Sequence, residues 1–180
     1  SSKSNLVLQP FYTIHDARYM LYWRVADKKD LPKIQQELKE SEKQRLALEE
    51  ITVDKVAPGE QQPEVEHQFK GERTDAGTLN DWHWRNTTGW FSYQLDNKAK
   101  AGKKIRITYY GKDRGSIDIY ANDVLLKAET LDGSKGDAFF DVDYTLPDAV
   151  LNAITRMIEL KFSAKSGART PRIFYIRLIK

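Results

Sequence analysis

Trp90-Phe91-Ser92-Tyr93-Gln94-Leu95 is the stretch on which the fold turns. Phe91, Tyr93 and Leu95 fall on one side of an extended chain, with Ser92 and Gln94 on the other. Three later segments repeat the pattern. Ile105, Ile107 and Tyr109 point away from Lys104, Arg106 and Thr108. Ile117 and Ile119 oppose Ser116 and Asp118, while Ile158, Leu160 and Phe162 oppose Glu159 and Lys161. A period of two with one polar face describes sheets that are covered on one side only.

Further strands follow on either side. Val53 to Ala57 is stopped by Pro58-Gly59. Lys104 to Tyr110, Ser116 to Ala121, Val124 to Thr130, Ala138 to Leu146, Met157 to Ala164 and Arg172 to Ile179 complete the set. Asn122-Asp123 is a two-residue hairpin signal. Gln61 to Asp81 reads as one long polar segment, and Pro147 to Ile154 as a short helical turn. About eight strands with no long helix between them predict an all-β, jelly-roll β-sandwich.

Two different textures precede these strands. Residues 27–51 contain neither glycine nor aromatic residues. Asp30 can cap and Pro32 sits just inside the start, so one helix of five to six turns is predicted. Leu31, Ile34 and Leu38 share a face, and Lys33/Glu37 and Arg45/Glu49 stand at i,i+4 spacing. Before it, Leu6-Val7-Leu8, Tyr12-Thr13-Ile14 and Ala17 to Trp23 read as short strands around His15-Asp16.

Composition excludes several functions. The 180 residues contain no cysteine, so disulfides, thiolate metal sites and cysteine nucleophiles are ruled out. A chain of this length buries roughly 70% of its unfolded surface and can hold a core without staples. With 29 basic and 26 acidic residues, the net charge is only +3. The basic residues alternate with acids, so no nucleic-acid partner is expected. No apolar run nears the roughly 20 residues of a membrane span. Ser1-Ser2-Lys3-Ser4 lacks the apolar core of a signal peptide and reads as the start of a piece cut from a longer protein.

The densest constellation is Asp81-Trp82-His83-Trp84-Arg85, followed by Trp90. In an extended chain Trp82 and Trp84 share one face, and His83 and Arg85 the other. Indole rings stack on the apolar faces of sugars while flanking polar groups bond hydroxyls, so ligand contact is one reading; burial in the core is the other. His67 and Arg73 in the polar segment join the candidate set, making Trp82, Trp84, Arg85, Trp90, His67, Arg73 and His83. The histidines have no zinc-ligand spacing. Tyr110-Gly111-Lys112-Asp113-Arg114-Gly115 reads as a turn with a local Asp113–Arg114 ion pair. Asp132, Asp137, Asp141 and Asp143 would suit structural calcium only if their oxygens converged, and no cofactor is expected. No poised nucleophile or acid–base set is visible.

Some strings resemble known text. Pro10 to Trp23 resembles a segment late in bacterial glycoside hydrolases of the β-L-arabinofuranosidase group, families 127 and 146. Val56-Ala57-Pro58-Gly59-Glu60-Gln61-Gln62-Pro63-Glu64, Gly89 to Tyr93, Tyr110 to Gly115 and Gly136 to Phe140 resemble the C-terminal domain of those enzymes. The resemblance implies a galactose-binding or carbohydrate-binding-module-like sandwich at residues 52–180. It implies a linker helix at 27–51, and at 1–26 a strand remnant of the preceding β-sandwich domain. In that group catalysis is attributed to a cysteine nucleophile at a zinc site, and this chain has no cysteine to match. The expected role is therefore a non-catalytic accessory domain, either binding plant-type carbohydrate or supporting the catalytic domain of the same full-length chain. A periplasmic or secreted location is implied. The first strands, separated from their parent sheet, are expected to seek a free edge or to pair two chains into a dimer.

Overall fold

The computed structural model describes residues 29–180. The expected strands before Val25, and any dimer they would form, lie outside the described residues. Helix α1 spans Leu31–Ile51. The Asp30 carbonyl accepts the Ile34 N–H at 3.0 Å, which places Asp30 at the cap. Arg45 donates to Glu42, three residues back, at 2.7 Å. A separate compact unit runs from Glu50 to Lys180.

That unit holds nine strands: β1 (Thr52–Val56), β2 (Lys70–Leu79), β3 (Trp82–Asp96), β4 (Lys104–Tyr110), β5 (Arg114–Ala121), β6 (Val124–Asp132), β7 (Phe139–Thr145), β8 (Met157–Ser163) and β9 (Tyr175–Ile179). Two short helices interrupt them, α2 (Gln61–Glu66) and α3 (Asp148–Leu151). Sheet A has the order β1-β9-β4-β7 and sheet B the order β2-β3-β8-β5-β6. Every named pairing is antiparallel. Setting β2 aside, the remaining eight strands form two four-stranded sheets; consecutive strands cross between the sheets except for the β5–β6 hairpin within sheet B, and the first strand pairs with the last. This is the jelly-roll arrangement.

The alternating residues build the core. Phe91, Tyr93, Leu95, Ile105, Ile107, Tyr109, Ile117, Ile119, Leu160 and Phe162 are all fully buried between the sheets. Two sheets whose inner faces are this apolar hold together because the area leaves water, worth roughly 1.5–3 kcal/mol for each large side chain.

The polar segment 61–81 is not the loop expected from its composition. It holds α2 and the ten-residue β2, which pairs with β3 along nearly its whole length. β2 is an edge strand with mostly exposed side chains, so it has no apolar face to reveal it. The connecting Asn80 and Asp81 have φ of 48° and 66°, matching the Asn122-Asp123 turn at 46° and 64°. Both are two-residue hairpin turns with positive φ at each central residue.

β3 is the long element that positions the site. Its register with β2 shifts between Glu72/Trp90 and Thr74/Thr87, where β3 carries an extra residue. Such a bulge bends a strand and increases its twist. Beyond it, Arg85 forms a two-way bridge with Ile173, just ahead of β9: the Arg85 N–H donates to the Ile173 carbonyl at 3.1 Å, and the Arg85 carbonyl accepts the Ile173 N–H at 2.9 Å. The first half of β3 thus ties sheet B to sheet A.

Candidate functional site

The bridge at Arg85 separates two environments, one on each side of the strand. His83 and Arg85 turn to the side occupied by α2. Arg85 makes a fork-shaped pair with Glu64, Nε to Oε1 at 2.7 Å and Nη2 to Oε2 at 2.8 Å, and donates to Thr74 Oγ1 at 2.9 Å. Its guanidinium lies 4.2 Å from the Phe69 ring centre. Glu64 also accepts the Gly59 N–H and the Tyr93 hydroxyl, each at 2.8 Å. Burial opposes the charged form of Glu64, yet the bonds from Arg85, Gly59 and Tyr93 outweigh it and hold its pKa below the usual range. Burial, with the charge of Glu64, drives the Tyr93 hydroxyl well above its usual value.

His67 and His83 are both held on this side. His67 Nδ1 donates to the Pro63 carbonyl at 2.8 Å and Nε2 to Asp54 Oδ1 at 3.0 Å. A ring donating from both nitrogens is an imidazolium. The bond to Asp54, ahead of the opposing effect of burial, raises the His67 pKa. Asp54 Oδ2 also accepts the Asp96 N–H at 2.7 Å. His83 Nδ1 donates to the Gly59 carbonyl at 3.2 Å.

Trp82 and Trp84 turn the other way, onto the outer face of sheet A. Trp82 is 44% exposed. Its ring centre lies 5.3 Å from that of Phe139 and 6.3 Å from that of Tyr175. Phe139 continues to Phe174 at 4.9 Å and to Tyr110 at 5.6 Å. Arg172 sits among these rings, with its guanidinium 5.4 Å from Tyr110, 5.4 Å from Phe174 and 5.7 Å from Trp84. Asp113 grips it as a fork, Nη2 to Oδ1 at 2.5 Å and Nε to Oδ2 at 3.0 Å. The partner of Asp113 is thus Arg172, fifty-nine residues away, and not the adjacent Arg114 that local spacing suggested.

Trp84 is packed under its own hairpin. A side chain at Gly77 would place its Cβ 2.6 Å from the indole, so only glycine lets the ring lie across β2. The indole Nε1 is buried with no hydrogen-bond partner among the described residues. At the rim, the Tyr110 hydroxyl donates to Asp137, which also pairs with Lys112 Nζ at 3.2 Å. The bond from Tyr110, then the one from Lys112, lowers the Asp137 pKa.

Of the seven residues singled out by sequence, the structure places Trp82 and Trp84 on one aromatic face. It places Arg85, His67 and His83 in internal hydrogen bonds on the opposite side. Trp90 lies elsewhere on sheet B, with Lys161 Nζ 4.8 Å from its ring centre. Arg73 is exposed, 3.8 Å from Glu72. Sequence reasoning missed Arg172, Phe139, Phe174 and Tyr175, which come from strand ends far along the chain. Among the described residues, no group of three or more His, Asp or Glu side chains is arranged to hold a metal. No described helix is long and apolar enough to cross a membrane.

An all-β jelly roll carrying an aromatic outer face is the class this geometry defines. Residues 47–179 match the model of a family of unknown function (DUF6805), and the chain belongs to that family. Residues 1–25 match a domain of unknown function (DUF4986). No curated protein matches the sequence. Among solved structures, the chain is similar to a family 35 carbohydrate binding module from Clostridium thermocellum, at 11% identity over 68% of this chain and 95% of that one, with a TM-score of 0.44. It is similar to an exo-β-1,3-galactanase from Phanerochaete chrysosporium, at 9% identity over 70% of this chain and 29% of that one, with a TM-score of 0.44. It is also similar to the ANX1 ectodomain from Arabidopsis thaliana, at 16% identity over 69% of this chain and 40% of that one, with a TM-score of 0.47. At such identities neither ligand nor activity transfers to this chain.

Proposed function

We propose that the sandwich is a non-catalytic carbohydrate-binding module that receives a glycan on the outer face of sheet A. The observation that carries this is Trp82. A large indole is 44% exposed, yet it is held in place by Phe139 and Tyr175 beneath it. A rigid, half-open ring offers a stacking surface at little conformational cost. Polar groups flank it: Arg172 keeps Nη1 without an acceptor among the described residues, and Asp137 and Lys112 line the rim. A sugar ring on Trp82 would direct hydroxyls toward these groups.

In the fuller reading, the module belongs to an exported glycoside hydrolase of the β-L-arabinofuranosidase type. Residues 1–26 then complete a preceding sandwich and residues 27–51 link the two domains. The resemblance of Pro10 to Trp23 and of Val56 to Glu64 to those enzymes supports this.

Calorimetric titration with arabinofuranosyl, xylo- and galacto-oligosaccharides tests the binding role, alongside tryptophan fluorescence. Saturable heat with a fluorescence change that disappears in Trp82→Ala is the expected result. Absence of binding to any of them at millimolar sugar would overturn it and leave a purely supporting domain.

A further inference from the structure

A second concave site adjoins the aromatic face at Asp113. Between β6, an edge of sheet B, and β7, an edge of sheet A, the sandwich opens into a cleft of about 400 Å³. That volume falls in the roughly 300–1,000 Å³ of small-ligand pockets. Leu131, Phe140 and Val142 give it apolar walls, and Asp113, Glu129, Asp132 and Lys135 give it charge.

Glu129 is inside because of a bulge. The register of β6 on β5 shifts between Ile119/Lys127 and Tyr120/Leu125, where β6 holds an extra residue. Before the bulge Val124 and Leu126 pack against the core; after it Leu131 does. The inward side has moved from even to odd positions, and Glu129 moves with it. A carboxylate therefore points into the gap between two sheets.

It is held there by a chain of hydroxyls. Tyr144 donates to Glu129 Oε2 at 2.8 Å, and the Tyr144 and Tyr109 hydroxyls are 2.9 Å apart. Tyr144 and Tyr109 are buried, and burial raises both their pKa values, so both stay protonated donors. Among the described residues, Glu129 Oε1 accepts only the N–H of its neighbour Thr130, at 3.1 Å. A carboxylate has about four acceptor positions, so two remain for a ligand in the cleft. Lys135 Nζ, which lies over the Phe140 ring at 5.1 Å from its centre, supplies the donor by swinging off that ring as the ligand enters.

We propose that this cleft is a second glycosyl-binding site, in which a neutral sugar ring lies against Phe140, gives hydroxyl hydrogen bonds to Glu129 and accepts one from Lys135. Three carboxylates, of Asp113, Glu129 and Asp132, against the one ammonium of Lys135 select against an anionic ligand, and the apolar walls suit the C–H face of a pyranose or furanose ring. The ligand class rests on the carbohydrate reading above; the site shares Asp113 with the aromatic face but none of its rings.

Amide chemical-shift mapping on the whole chain, titrated with galacto-, xylo- and arabino-oligosaccharides, tests it. In Trp82→Ala the shifts at residues 129–135 and 140–142 should persist. In Glu129→Gln they should weaken at least tenfold with the thermal midpoint unchanged, and Phe140→Ala should abolish them. If Phe140→Ala does not fold, Glu129→Gln carries the test, because it alters charge and not size. Shifts confined to the Trp82 face, or binding indifferent to Glu129→Gln, overturn the second site while the carbohydrate reading stands. Shifts nowhere at all overturn both.

Discussion

Arg85 and Arg172 lie beside the same β-bridge, each gripped by a carboxylate in fork geometry and each set against aromatic rings. Their surroundings differ. The Arg85 and Glu64 side chains are 13% and 10% exposed, and Glu64 accepts four donor atoms from Arg85, Tyr93 and Gly59. Arg172 has a side chain 24% exposed and donates to Asp113 through Nε and Nη2. A saturated pair fastens a helix and a strand together; a pair with an open N–H beside a half-exposed indole can meet a ligand. The same chemistry thus serves cohesion on one side of β3 and, in the function proposed above, recognition on the other.

The sharpest way to break this contrast is Glu64→Ala. It leaves the Arg85 charge without its partner and should cost about 3–5 kcal/mol in urea unfolding. The folded fraction should bind sugar as before; a selective loss of binding with unchanged stability would reverse the assignment. Gly77→Ala comes next. The added carbon meets the Trp84 indole at 2.6 Å, so the ring must shift, at about 1–3 kcal/mol of stability measured by the same method.

On the recognition side, Trp82→Ala should weaken oligosaccharide binding about tenfold, equivalent to about 1.4 kcal/mol, with little change in melting. Arg172→Lys keeps the charge but loses the planar fork. Its expected effect is a decrease of about threefold in affinity by calorimetry, smaller than that of Trp82→Ala.

The smallest effect concerns pH. His67 has a raised pKa in the fold, so its stabilisation is complete below the ordinary histidine range. It fades as pH rises through the folded-state value. Asp54 has a lowered pKa: burial opposes its charge, but bonds from His67, Asp96 and Lys55 prevail. Its contribution is present above the ordinary aspartate range and is lost as pH falls through the folded value. Thermal midpoints measured across that window should fall on both sides, and His67→Gln should flatten the alkaline limb.

Strands with one apolar face were legible in the sequence. β4 runs over the residues its alternation picked out, and the rows through Phe91, Ile117 and Ile158 all face the core. β2 was not, because an edge strand of Lys, Glu, Thr, Asp and Gly shows no period. The signal that could have revealed it is Asn80-Asp81, the same dipeptide that marked the turn at Asn122-Asp123. The alternation across Trp82 to Arg85 was readable, and the structure puts the two pairs on opposite faces. What each face meets was not, since Glu64, Phe139 and Arg172 reach β3 only through the folded topology.

The pairing of β1 with β9 sets Thr52 opposite Ile179, so the polypeptide enters and leaves the sandwich on neighbouring strands. Neighbouring strands lie about 4.8 Å apart. A longer chain could therefore detour through this unit and resume almost where it departed, like a side loop on a railway. Insertion or excision of such a cassette would leave the spacing of the flanking segments nearly unaltered.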